Sequence, residues 1–155
     1  MVTKAPDPLL ITPDDPRPRV FLSGSIGQGG ARDWQSRLIR ELTDLNAVIL
    51  DPRRDDWNAT WRVEADEPQF RRQVEWELQA LEQAEVIVMC FEPTAQSPIT
   101  LLEFGLYAKS GRLIVFCPEG FWRKGNVDIT ADYYGVKQVD SFEALVAATR
   151  KTLGG

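Results

Sequence analysis

The sequence predicts a single α/β domain built on a doubly wound parallel sheet, and three observations carry that prediction. Short apolar, β-branched runs recur along the chain: Val20-Phe21-Leu22, Ala47-Val48-Ile49-Leu50, Val86-Ile87-Val88-Met89-Cys90-Phe91 and Leu113-Ile114-Val115-Phe116. Unbroken runs of this kind suit strands covered on both faces, as the strands of a parallel sheet are. Helical patterns separate them, which is the grammar of repeated strand-helix-strand units. The length, 155 residues, fits one domain and is enough to bury a substantial core.

The elements follow in order. Residues 1 to 18 hold five prolines and three aspartates, a composition that predicts a flexible N-terminal arm and leaves 19 to 155 as the folded domain. After the first strand comes the small-residue loop Ser23-Gly24-Ser25-Ile26-Gly27-Gln28-Gly29-Gly30, then an amphipathic helix over Asp33 to Leu45. A long polar loop from Asp51 to Pro68, carrying Trp57 and Trp61, leads to a helix over Gln69 to Gln83. In that helix Phe70, Val74, Leu78 and Leu81 are spaced by four, four and three, which predicts its buried stripe. Ser97 and Pro98 have the residue types of an N-cap and a first helical position. Ile99, Leu101, Leu102, Phe104 and Leu106 then cover most of the circumference, so this helix is expected to be buried on several sides. A Gly/Trp-rich loop from Pro118 to Gly125, a short strand near Val136 to Val139 and a helix from Phe142 to Leu153 complete the chain. Five parallel strands with intervening helices are most economically arranged in the flavodoxin-like order 2-1-3-4-5.

Composition narrows the function. A 43% hydrophobic share with 26% charged residues is that of an ordinary soluble protein, no apolar run of about 18 residues is present, and the start lacks a secretory pattern. The expected location is cytoplasmic, with no membrane partner. A net charge of -5 and a pI near 4.8 argue against a nucleic-acid surface and for a neutral small ligand. Cys90 and Cys117 lie in apolar runs and are expected to be core thiols, not a disulfide. There is no histidine. Histidine triads, histidine general bases and most zinc sites are thereby removed, and chemistry falls to carboxylates, hydroxyls, Lys, Tyr or Cys.

Glu103 is the residue that most needs a reason, because it is a carboxylate inside the apolar helix Pro98-Ile99-Thr100-Leu101-Leu102-Glu103-Phe104. The ordinary place for a lone helical glutamate is a solvent-facing stripe; the alternative is a partly desolvated functional group. In a doubly wound sheet the ligand binds beyond the carboxyl ends of the strands where the order reverses, here between the first and third strands. The loops there, 23 to 30 and 92 to 97, are rich in small and hydroxyl residues, with Ser23, Ser25 and Ser97 as candidate substrate contacts. The glycine-rich loop matches neither a dinucleotide fingerprint nor a P-loop. It suits a tight turn that lets Ser23 and Ser25 approach a sugar, with a phosphate cradle as the rival. On the same rim, Asp51-Pro52-Arg53-Arg54-Asp55-Asp56-Trp57 offers Asp56 and Trp57 to a flat polar ligand such as a nucleobase, or else is a solvated charge cluster under a packing lid. Gln73 and Glu77, one helical turn apart, share a face. A surface ion pair is the ordinary role for such a glutamate.

At these residues the chain resembles the nucleoside 2-deoxyribosyltransferases and their close relatives, from about Val20 to Gly135. The matching blocks are Phe-Leu-Ser-Gly-Ser-Ile at 21 to 26, Asp-Pro-Arg-Arg-Asp-Asp-Trp at 51 to 57 and Gln-Val-Glu-Trp-Glu-Leu at 73 to 78. Ser-Pro-Ile-Thr-Leu-Leu-Glu-Phe-Gly at 97 to 105 and Gly-Phe-Trp-Arg-Lys-Gly-Asn-Val-Asp at 120 to 128 follow in the same order. The resemblance implies that Glu103 is the nucleophile and that Glu77, where an aspartate is often seen, contacts the base. It also implies that Asn126 and Asp128 bind the sugar 5′-hydroxyl in a neighbouring subunit's site, hence a homo-oligomer. Some members orient the nucleophile with a tyrosine in the first strand, where this chain has Phe21. Something else must then orient Glu103; Tyr107, one turn away, is within reach, although a place in the core is the ordinary role for such a tyrosine.

The implied reaction moves 2-deoxyribose between nucleobases of 2′-deoxynucleosides through a covalent Glu103 ester, with Glu77 or Asp56 assisting the departing base. Neither a metal nor an organic cofactor is required. The competing expectations are a hydrolase acting on 2′-deoxynucleosides or their 5′-monophosphates and a module that only binds nucleotides.

Overall fold

Two features of the strands decide the architecture: unbroken apolar runs demand cover on both faces, and the period of two sends successive side chains to opposite layers. The computed structural model describes residues 1–9, 12, 14–25 and 33–155. Its sheet has six parallel strands, β1 (Val2–Lys4), β2 (Arg19–Gly24), β3 (Val48–Asp51), β4 (Val86–Cys90), β5 (Leu113–Phe116) and β6 (Lys137–Val139), in the order β1-β3-β2-β4-β5-β6. The helices are α1 (Trp34–Glu41), α2 (Pro68–Gln83), α3 (Pro98–Tyr107), α4 (Lys124–Tyr134) and α5 (Phe142–Thr152).

The five expected strands keep their expected order, and the sixth corrects the count. It comes from the segment expected to be a loose arm. Val2 pairs with Ile49 and Lys4 with Asp51, and the Ala5 amide donates to the Asp51 carbonyl at 3.1 Å, with Ala5 itself buried. The reason is local: the prolines begin at Pro6, so Val2–Lys4 keeps every backbone donor needed for an edge strand.

Val20, Leu22, Val86, Val88 and Ile114 face α1 and α5, while Phe21, Ile87, Met89 and Val115 face α2, α3 and α4. Two helix assignments differ from the periodicity. The inward residues of α2 are Gln73, Trp76, Ala80 and Leu81, and Leu78 is exposed. In α3 one side is buried, through Thr100, Glu103, Phe104 and Tyr107, whereas Ile99, Leu102 and Leu106 are exposed. A helix lying on a sheet is covered on one side only, so an all-round apolar pattern leaves a second apolar face without a neighbour among the described residues. Helix α4 escapes the pattern because its buried side consists of Val127 and Ala131 alone. No helix among the described residues is long and apolar enough to cross a membrane.

Candidate active site

Strands β2 and β4 are neighbours, yet their chains leave the sheet on opposite sides, β2 toward α1 and β4 toward α3. This is the reversal point, and Glu103 lies beside it. Because side chains alternate along β2, Ser23 falls on the same face as Phe21, toward α3. Its hydroxyl donates to Glu103 Oε1 at 3.0 Å. Both residues are buried, Ser23 at 1% and Glu103 at 7% exposure.

Burial pushes the Glu103 carboxyl up to about 8; the nearby Glu77 carboxylate adds to the rise and the Ser23 hydroxyl opposes it. Glu77 is raised as well, through burial, against a hydrogen bond from Gln73. Gln73 Nε2 donates to Glu77 Oε1 at 2.8 Å and to the Pro52 carbonyl at 2.7 Å, pinning α2 to the loop after β3. Gln73 Oε1 is buried and has no partner among the described residues. Two carboxyls sharing a poorly solvated space retain a proton between them near neutral pH. Such a pair can supply one nucleophile and one proton donor.

Asp56 is set for neither role. Arg54 grips its carboxylate at 2.9 and 2.8 Å and lowers its proton affinity. Arg54 in turn lies 4.8 Å over the Trp61 ring, which meets Trp57 edge-on at 5.2 Å. The stretch is therefore a charge-stapled aromatic rim that leaves Trp57 partly exposed.

Ser97 stands at the head of α3 without capping it. Its backbone is left-handed, at φ 50°, and its hydroxyl meets that of Ser25 across the reversal point. The Ser25 carbonyl accepts from Gln35 Nε2 at 3.1 Å and from Trp34 Nε1 at 3.4 Å, so α1 anchors the start of the loop. The rest of the glycine-rich stretch, Ile26 to Gly30, lies outside the described residues.

Tyr107 does not orient Glu103; its hydroxyl donates to Glu82 at 3.1 Å. Asn126 and Asp128 are on α4, toward the β5 and β6 end of the sheet. Asn126 is exposed, whereas Asp128 is held by Lys124 at 3.1 Å and by Gln138 at 3.0 Å, in a cleft of about 580 Å³ that Cys117 also lines. The two thiols are buried and free, and burial raises Cys117 to about 11, so neither is a ready nucleophile.

The fold thus gathers Ser23, Gln73, Glu77 and Glu103, brings Ser25 and Ser97 together at the adjoining loop ends, keeps Trp57 against Trp61 in the loop after β3, and leaves Asn126 and Asp128 on another helix. Sequence reasoning did not assign Ser23 to Glu103, although the alternation from Phe21 pointed that side chain at α3.

A family model described as nucleoside 2-deoxyribosyltransferase like matches residues 17–121. No curated protein matches the chain. Among solved structures, a conserved protein from Enterococcus faecalis V583 shares the fold, with a TM-score of 0.62 at 12% identity over 88% of this chain and 99% of that one.

Proposed function

Because the chain belongs to the nucleoside 2-deoxyribosyltransferase-like family, we propose that it moves a 2-deoxyribosyl group between nucleobases by a retaining double displacement at Glu103. The family supports a glycosyl-transfer enzyme. The observation that carries the finer reading is a pair of carboxyls, buried Glu103 held by Ser23 and half-buried Glu77 held by Gln73, at the reversal point of the sheet.

In this reading the ionised Glu103 attacks C1′ as the C1′–N bond breaks, and the bonding pair leaves with the base, whose nitrogen takes the proton from Glu77. The carboxylate offsets the positive charge that develops on the sugar and then holds it as an ester. An incoming base attacks C1′, the ester bond breaks, its N–H proton passes to Glu77, and Glu103 is again a carboxylate. Trp57, partly exposed on the aromatic rim, offers a ring face for the base. Asn126 shares α4 with the exposed Ile129 and Tyr133, and Ile99, Leu102 and Leu106 form an exposed stripe on α3. These faces support a homo-oligomer in which Asn126, with Asp128, completes the sugar site of a neighbouring copy.

The test is base exchange. Incubated with deoxyinosine and free adenine, the protein is expected to release hypoxanthine and form deoxyadenosine, and Glu103→Ala to lose nearly all turnover. Hypoxanthine with free deoxyribose would convert the reading to a hydrolase using water as acceptor. Ligand-induced stabilisation without any product would convert it to a binding module.

A further inference from the structure

Ser23 is mounted more rigidly than any loop residue could be. It is the penultimate residue of β2, in register with Met89 of β4, and almost fully buried. Its hydroxyl is already committed to Glu103 Oε1 at 3.0 Å. At 1% exposure its remaining lone pairs offer almost no surface to a substrate hydroxyl. Glu103 meets Ser23 from β2 and Glu77 from α2, while Thr100, Phe104 and Tyr107 share its buried side of α3. Tyr107 is turned away to Glu82, and Glu77 opposes a second negative charge.

We propose that Ser23 is a positioning residue for Glu103: its hydroxyl fixes the orientation of the carboxylate and does not bind the sugar. The proposal rests on the reading of Glu103 as nucleophile. A neutral donor aimed at a buried carboxylate also favours its charged form, because hydrogen bonds to an ion are stronger than those to its neutral counterpart. In this chain a serine on β2 does the work that Phe21, without a hydroxyl, cannot do.

The experiment follows the Glu103 carboxyl carbon by NMR titration in protein labelled at glutamate, assigned with Glu103→Gln, in the unmodified protein and in Ser23→Ala. The serine-to-alanine change is small enough for the strand to keep its fold, which circular dichroism checks. The Glu103 titration is expected to move upward by about one unit. In deoxyinosine-to-adenine exchange, kcat/KM of Ser23→Ala is expected to fall by more than about tenfold at pH 7 and to recover only in part as the pH rises toward 10, where Glu103 is ionised in both proteins but lacks its positioning bond in the variant. A merely structural serine would give the same loss at every pH and leave the titration in place, and either result overturns the proposal. If the unmodified protein neither exchanges bases nor releases hypoxanthine from deoxyinosine, the reading of Glu103 as nucleophile fails and this role falls with it. The titration still separates that failure from an absent Ser23 effect.

Discussion

Glu103 sits with its carboxyl raised from 4.5 to about 8, by burial first and by Glu77 second. Three predictions belong to this scale. If Glu103 must be ionised to attack and Glu77 must carry the proton it donates, kcat/KM for base exchange should climb with pH below about 8 and fall again where Glu77 loses its proton. A profile flat from pH 5 to 8 would rule this out. The same shift acts on folding. The native state holds the proton more tightly than the unfolded chain, so the contribution is full below 4.5 and is lost as the pH rises to about 8. Glu103→Gln should therefore stabilise the protein by about 1–3 kcal/mol at pH 8.5 and hardly at all at pH 4.5, read from urea midpoints. Glu77→Gln removes the like charge, so it should move the acid limb of the rate profile to lower pH while cutting turnover on the order of 10²-fold. The sequence made Glu103 legible, as a carboxylate in an apolar helix, but gave no sign that it is paired with Ser23, because the two are 80 positions apart.

Elements bring such pairs together through close approaches. At Gly24 a Cβ would lie 2.5 Å from the Cys90 carbonyl oxygen and 2.6 Å from the Trp34 ring, so β2, β4 and α1 meet there with no room for a methyl group. Gly24→Ala should cost roughly 1–3 kcal/mol, seen as a lower denaturant midpoint. A midpoint unchanged from that of the unmodified protein would mean that β2 can shift. The helix faces were the least legible feature. Apolar spacing in α2 pointed to Phe70, Val74, Leu78 and Leu81; Leu81 is buried as expected, but Leu78 is exposed and the sheet takes the side that also carries Gln73, Trp76 and Ala80. That rotation turns Gln73 inward to bridge Pro52 and Glu77. Periodicity sees apolar residues, whereas a site needs polar residues buried at selected positions, and these look like exposed ones in a sequence.

Across the whole molecule, the exposed apolar stripe of Ile99, Leu102 and Leu106 lies on the back of the helix whose inner side carries Glu103. In the proposed oligomer, replacing Leu102 and Leu106 together by glutamate should give a monomer in sedimentation, with far-ultraviolet circular dichroism unchanged and base exchange lost. An unmodified protein that sediments as a monomer would remove the basis for a shared site. The sequence by itself determined the strand runs, the order of the five central strands and the prominence of Glu103. These depend on local patterns of side chains and on a connection rule with few solutions. Tertiary structure decided that β1 joins the edge, which side of α2 and α3 turns inward, and that Ser23 and Glu77 are the neighbours of Glu103. Each of these depends on contacts between residues far apart in the chain, and it is the burial of Glu103 among those residues, with the charge of Glu77, that sets the proton affinity of the carboxyl at the centre of the site.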